Sequence, residues 1–294
     1  MQDSSLYEKV KAGHFVTAPG IQDMITAVIA RRVGFDAVYG SGYWLTASAL
    51  GLPDAGIASV TQMTDRMARL VESAQTPVIA DADTGFGGLL NVHHTVRAYE
   101  NAGVAAIQLE DQEFPKKCGH TPFKRVIPAE QMVEKIKVAC DARRDERLLV
   151  IARTDVMQSE GYNAVEDRMG AFAEAGADIL FPEALTSVEQ MRQICAAIDR
   201  PMLANMANGG ITPILDTKTL AEIGFRLAIF PSMTSLAAAR AVELALLALK
   251  QDGDSLAGPE QFDFKAFCGL IGFEDVWAFE RKWASAGEAA MAEG

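Results

Sequence analysis

Short apolar runs alternate with amphipathic stretches along most of the chain. Eight of the runs read as strands: HFVTAPG (14–20), AVYGSG (37–42), PVIADAD (77–83), AIQLED (106–111), LLVIARTD (148–155), ILFPEA (179–184), PMLANM (201–206) and RLAIFPS (226–232). Their nearly continuous apolar character is that of parallel strands buried on both faces. Between them, IQDMITAVIARRVG, SVTQMTDRMARLVESA, NVHHTVRAYENAG, AEQMVEKIKVACDARR and VEQMRQICAAI carry the apolar spacing of helices. Gly34, Gly103, Gly176 and Gly224 each stand shortly before a strand, where a left-handed cap turns the chain back. Eight such units predict an α/β fold of the (β/α)₈ TIM-barrel type. An open doubly wound sheet fits less well, because no G-x-G-x-x-G follows the first strand.

Beyond the polar connector KQDGDSLAGPEQ (250–261) the chain turns aromatic, with Phe262, Phe264, Phe267, Phe273, Trp277, Phe279 and Trp283. A segment this greasy needs a surface to cover. The expected organisation is a barrel over residues 1–250 and a helical extension of the same domain over 251–294. The extension packs on the barrel's own helices or on a neighbouring subunit, and the second case implies a homo-oligomer.

Hydrophobic residues make up 49% of the chain and charged residues 22%, enough for a large core. A net charge of −12 argues against a general nucleic-acid binder, which needs a basic face. A small anionic substrate would instead need a local positive site. MQDSSLYEKVKAGHFV lacks a basic stretch followed by an apolar one, and no run of about 18 apolar residues occurs, so neither a secretory leader nor a membrane span is expected. Cys118, Cys140, Cys195 and Cys268 show no paired spacing and are expected to be reduced thiols of a cytoplasmic protein, with Cys140 and Cys195 as core filler.

The catalytic face of a parallel barrel is the C-terminal end of its strands. Polar residues gather there: Asp81 and Asp83 after the third strand, Glu110 and Asp111 after the fourth, Arg153 and Asp155 after the fifth, Glu183 after the sixth and Asn205 after the seventh. Asp54 follows the second strand in GLPDAG. One such acid would be a helix cap. Acids at several successive strand ends repel one another unless a cation joins them, which points to Mg²⁺ (or Mn²⁺) held by Asp81, Asp83, Glu110 and Asp54, some through water. Arg153 suits either a substrate carboxylate or a structural acid, Glu183 or Asp155. GSGYW offers backbone N–H groups around Ser41 and Gly42 for an anion, or a plain turn. His14, His93 and His94 are expected to be structural or solvent-facing.

PKKCGH (115–120) follows Glu110 closely and overhangs that cluster. It lacks the further ligands of a zinc clip and the second cysteine of a redox pair. Lys116, Lys117 and His120 beside Cys118 favour its thiolate, and such a cysteine can act as nucleophile or as proton donor and acceptor.

Together, SGY…LGLPD, ADADTGFGG, IQLEDQEFPKKCGH and IARTD resemble the isocitrate lyase and phosphoenolpyruvate mutase superfamily. The resemblance runs from about residue 5 into the aromatic C-terminal segment and is strongest to the methylisocitrate lyase, 2,3-dimethylmalate lyase and oxaloacetate hydrolase branch. It implies a barrel whose last helix is swapped between subunits of a homotetramer. It further implies Mg²⁺ at Asp81, Asp83 and Glu110 with Asp54 in its water shell, and an oxo-acid end of the substrate held by Ser41, Gly42, Tyr43 and Arg153. Cys118 becomes the acid/base of a gating loop that includes Lys116, Lys117, Gly119 and His120, with Glu183, Asn205 and Asn208 lining the pocket and Tyr43 a candidate base. The implied reaction is Mg²⁺-dependent carbon–carbon cleavage of a 2-hydroxy di- or tricarboxylate, with oxaloacetate hydrolysis or decarboxylation, or a phosphonopyruvate-type reaction, as the alternative. Phosphonate-handling members lack the cysteine. Many dimethylmalate-type members carry a glutamate where NMANGG has Asn208, and bulky Tyr43 and Trp44 stand where some members are small, so the distal substituent is left open.

Overall fold

The computed structural model describes residues 5–119 and 124–284. All eight expected strands form: β1 (Val16–Pro19), β2 (Val38–Gly40), β3 (Val78–Asp81), β4 (Ala106–Glu110), β5 (Leu149–Thr154), β6 (Ile179–Pro182), β7 (Leu203–Asn205) and β8 (Leu227–Phe230). Every ladder is parallel, in the orders β1–β8–β7 and β2–β3–β4–β5–β6. Parallel bridges from Gly20 to Tyr39 and from Leu180 to Met202 join the two runs, so the strands close on themselves as a barrel.

The helices between them follow the sequence pattern. Ser59 caps Val60–Ala74 in a reciprocal box with Gln62, and Asp23 caps Met24–Val33 by accepting from the Thr26 amide. Gly34 ends the latter helix in the left-handed conformation, at φ 89°. GSGYW departs from the plain-turn reading, and its backbone N–H groups belong to a helix N-terminus. Ser41 is the N-cap of a helix, Gly42–Leu50, rather than part of a loop.

Successive strand residues point to opposite faces, and the core divides on that rule. Val78, Ala80, Ile107, Leu109, Val150 and Ala152 belong to the larger cluster, shared with the helices. Tyr39, Ile79, Ala106, Leu149, Ile151, Ile179, Phe181, Leu203, Leu227 and Ile229 form the cluster inside the barrel, with Leu6 and Val10 of the first helix. The inner columns continue upward in steps of two, from Ile79 to Asp81, Ala106 through Gln108 to Glu110, Leu149 through Ile151 to Arg153, Phe181 to Glu183 and Leu203 to Asn205. The polar strand ends are therefore the top layer of an otherwise apolar interior.

The chain forms two compact units, one ending at Ala237 and one beginning at Ala238. The second holds most of helix Met233–Asp252, then Phe264–Leu270 and Phe273–Trp283. Much of its apolar surface is exposed, including Leu246, Phe264, Phe279 and Trp283. Among the described residues, no helix is long and apolar enough to cross a membrane.

Candidate active site

A cavity of about 320 Å³ opens at the top of the barrel, within the size range of small-ligand sites. Asp81, Glu110, Arg153, Glu183 and Asn205 line it from the strand ends, and Ser41, Tyr43, Trp44 and Asp54 line it from the connection after β2. Lys116, Lys117, Cys118 and Gly119 line it from the segment after β4, and Asn208 and Ser232 from beyond β7 and β8. Residues as distant in sequence as Ser41 and Ser232 thus share one cavity. His120 lies outside the described residues. His14, His93 and His94 do not line the cavity, and Cys140 and Cys195 pack half-buried against the main core.

The acids and their cations form one dense cluster. Asp81 Oδ2 accepts from the Gly42 amide at 3.0 Å, and Asp81 Oδ1 from the Asp83 amide at 3.0 Å. The close fit explains Gly42: a Cβ there would lie 2.9 Å from Asp81 Oδ2 and 3.0 Å from Asp83 Oδ1. Asp83 adopts φ 49°, a left-handed conformation that Asp tolerates better than most residues. Lys116, only 3% exposed, donates to Asp54 Oδ2 at 2.6 Å and lies 2.7 Å from Asp83 Oδ1. Burial alone would lower its ammonium, but Asp83, Asp81, Glu110 and Asp54 outweigh burial and hold it well above the ordinary lysine range. The lysine expected to assist the thiol is thus also the counter-ion of the carboxylates.

Burial raises Asp83 to about 6 despite Lys116, with Asp81 and Asp54 adding to the rise. Burial likewise raises Glu110 well above the carboxylate range, against the pull of Arg153. Glu110 Oε1 is buried without a hydrogen-bond partner. A desolvated acid with an orphaned oxygen is an incomplete site. Among the described residues, no three of these side chains form a ready-made metal cage. The all-oxygen set instead fits a hard divalent ion that takes one or two carboxylates directly and completes its shell with water.

Arg153 donates from Nε to Asp155 Oδ2 and from Nη2 to Asp155 Oδ1, both at 2.9 Å. Nη1 lies 3.3 Å from Glu110 Oε2, Nη2 lies 3.5 Å from Glu183 Oε2, and the guanidinium carbon lies 5.1 Å from the Phe181 ring centroid. Asn205 Nδ2 donates to Glu183 Oε2 at 2.9 Å. Of the two readings of Arg153, the acid partner is Asp155 first, while the guanidinium still borders the cavity. Tyr39, absent from the sequence candidates, donates from its hydroxyl to Gln108 Oε1 at 2.8 Å, and Gln108 Nε2 donates to Asp81 Oδ1 at 3.4 Å. The alternation of β2 and β4 was the signal that pointed both residues inward.

Five similarities place the chain among known proteins. A family model described as phosphoenolpyruvate phosphomutase matches residues 8–250. The 2,3-dimethylmalate lyase of Eubacterium barkeri is 43% identical over 96% of this chain and 98% of its own. The 2-methylisocitrate lyase of Aeropyrum pernix is 41% identical over 92% and 87%. Among solved structures, oxaloacetate acetylhydrolase in complex with 3,3-difluorooxalacetate superposes with a TM-score of 0.90 at 31% identity, covering 95% of both chains. A phosphonopyruvate hydrolase in complex with oxalate and Mg²⁺ superposes at 0.84 with 27% identity, covering 96% of this chain and 98% of the other.

Proposed function

Because the chain belongs to the phosphoenolpyruvate phosphomutase family and has named lyases as relatives, we propose that it is a carbon–carbon lyase that cleaves a 2-hydroxy di- or tricarboxylate of the methylisocitrate or dimethylmalate type. The products are an α-oxo acid and a carboxylic acid. The observation that carries the reading is one cavity lined at once by Asp81, Glu110, Arg153 and the Lys116–Lys117–Cys118–Gly119 segment. Asp81, Asp83 and Glu110, with Asp54 through water, would hold Mg²⁺, in line with the Mg²⁺ in the phosphonopyruvate hydrolase structure. When bound, the ion supplies positive charge beside the oxygens of the developing oxo acid.

The chain's own residues do the rest. Ser41, Gly42 and Tyr43 at the N-terminus of their helix, together with Arg153, orient the oxo-acid end, and Glu183, Asn205 and Asn208 shape the pocket around the remainder. A base, for which Tyr43 is the candidate, takes the 2-hydroxyl proton. The oxygen's electrons form the carbonyl at C2, the C2–C3 bond breaks, and its electron pair passes to the enolate of the departing carboxylic acid. Cys118 then gives that carbon a proton, with Lys117 and His120 as its sequence neighbours and Lys116 holding the carboxylates. The oligomer is built through the aromatic C-terminal segment, residues 251–294, which packs on a neighbouring copy as an extension of the barrel domain. The four cysteines form no disulfide, in keeping with a cytoplasmic enzyme.

The similarity to oxaloacetate acetylhydrolase supports a second reading, hydrolysis or decarboxylation of oxaloacetate. One panel separates them. Methylisocitrate, isocitrate, dimethylmalate and substituted malates are assayed with Mg²⁺ for release of α-oxo acid, and oxaloacetate for acetate against pyruvate. Turnover of a hydroxy acid supports the lyase. Activity on oxaloacetate alone selects the second reading, and inactivity on the whole panel refutes both.

A further inference from the structure

We propose that Gln112 and Lys124 are positioning residues for Cys118, gripping the residue on each side of it; the inference rests on the reading of Cys118 as the proton donor.

Gln112, buried below the segment, spends both ends of its amide on one residue. Its Nε2 donates to the Lys117 carbonyl at 2.9 Å, and its Oε1 accepts from the Lys117 amide at 2.9 Å. Paired donor and acceptor contacts on the two peptide units that flank the Lys117 Cα fix the residue's orientation as well as its position. On the other side, Lys124 donates to the Gly119 carbonyl and, at 2.9 Å, to Asp155 Oδ1. Its side chain is as buried as that of Lys116. A buried ammonium is stable only when anchored, and Asp155 is a rigid anchor. It is clamped by two Arg153 hydrogen bonds, and its own amide donates to Asp111 Oδ1 at 2.9 Å. Gly119 therefore hangs from the end of β5 through Lys124. It also sits close against Arg153, since a Cβ there would collide with Nη2.

These grips are not needed to close the segment on itself. Its base is already paired by the Glu113 amide to the Arg125 carbonyl, by the Ile127 amide to the Asp111 carbonyl, both at 2.8 Å, and by the Gln112–Val126 bridge. What the two side chains add is a held carbonyl in the residue on each side of the thiol. A proton donor loses efficiency when displaced by about 1 Å, so such fixing has a chemical use.

The test is the rate at which iodoacetamide modifies each cysteine, followed by peptide mass analysis in the wild-type enzyme and in Lys124→Met and Gln112→Met. Without ligand, Cys118 is expected to react at least about fivefold faster in each variant, with Cys140 and Cys195 unchanged. An unchanged Cys118 rate in both variants overturns the proposal. An equal rise at Cys140 and Cys195 overturns it as well, because it reports general loosening. A parallel series with oxalate and Mg²⁺ tests the underlying reading on its own: if these give wild-type Cys118 no protection, the oxo-acid site is wrong, while the ligand-free comparison still decides the roles of Gln112 and Lys124.

Discussion

Arg153 and Asp155 are joined by two parallel hydrogen bonds of 2.9 Å at the top of β5, with the Asp155 side chain wholly enclosed. Burial would raise the Asp155 carboxyl, but Arg153 and Lys124 overcome burial and hold it far below the ordinary range. A carboxylate lowered in this way contributes stability that is complete above its unfolded value and is lost only as the pH falls toward the folded one. At neutral pH the pair is therefore fully charged, and removing the Asp155 charge takes from Arg153 its two shortest carboxylate contacts and from Lys124 its carboxylate. Asp155→Asn should cost about 3–5 kcal/mol in urea unfolding at pH 7, the usual penalty for breaking a buried ion pair. A variant within about 0.5 kcal/mol of wild type would show that the network carries little of the stability.

Cys118 is the one cysteine on the cavity wall. If it donates the proton to carbon, Cys118→Ser keeps a similar shape and loses the acid. General acids contribute about 10²–10⁴ in rate, so kcat should drop by that factor while KM stays within about threefold. Full activity in Cys118→Ser would remove the cysteine from the mechanism.

As a ligand of a divalent ion, Asp83 would make the binding depend on pH. Its value of about 6 means that the folded, metal-free protein holds a proton that the unfolded chain would have released. The group therefore opposes folding as the pH rises from about 4 through 6, and the same proton competes with the ion. With a midpoint near 6, the ionised fraction falls about tenfold between pH 7 and pH 5. Calorimetry should show Mg²⁺ affinity weakening by about that factor, and Asp83→Asn should lose both the affinity and its pH dependence. Equal affinity at pH 5 and 7 would mean that Asp83 takes no part.

The fold was legible because barrel strands announce themselves by apolar runs and, on five of the eight, by a polar residue at the C-terminal end of the inner column. Asp81, Glu110, Arg153, Glu183 and Asn205 lie two residues beyond inward-facing positions, so period two places them at the mouth without any knowledge of contacts. What stayed hidden depends on pairing across sequence. Nothing local says that Lys116 reaches Asp54, 62 residues away, or that Arg168 donates to Asp111 at 2.9 Å, 57 residues away. Lys124 reads as one basic residue among several, because its partner Asp155 lies 31 residues away, just past the end of β5. The plain-turn reading of GSGYW fails for a different reason. A glycine on either side of Ser41 suggests a turn, whereas the apolar face of YWLTASAL continues the helix into the core through Leu45.

The aromatic C-terminal segment supports the last expectation. Phe264 is 80% exposed and Trp283 67%, and Leu244, Leu246, Leu247 and Leu249 on helix Met233–Asp252 are exposed with them. A lone soluble chain rarely leaves so many large apolar side chains in water, and the pattern fits a surface that a second copy covers. Sedimentation equilibrium should then give about 126 kDa for four copies of a 31.6 kDa chain, with a dimer as the smaller stable species. Phe264→Asp and Trp283→Asp together should shift the distribution toward smaller species. A wild-type protein that sediments as a monomer at about 10 μM would refute the swapped-helix arrangement directly.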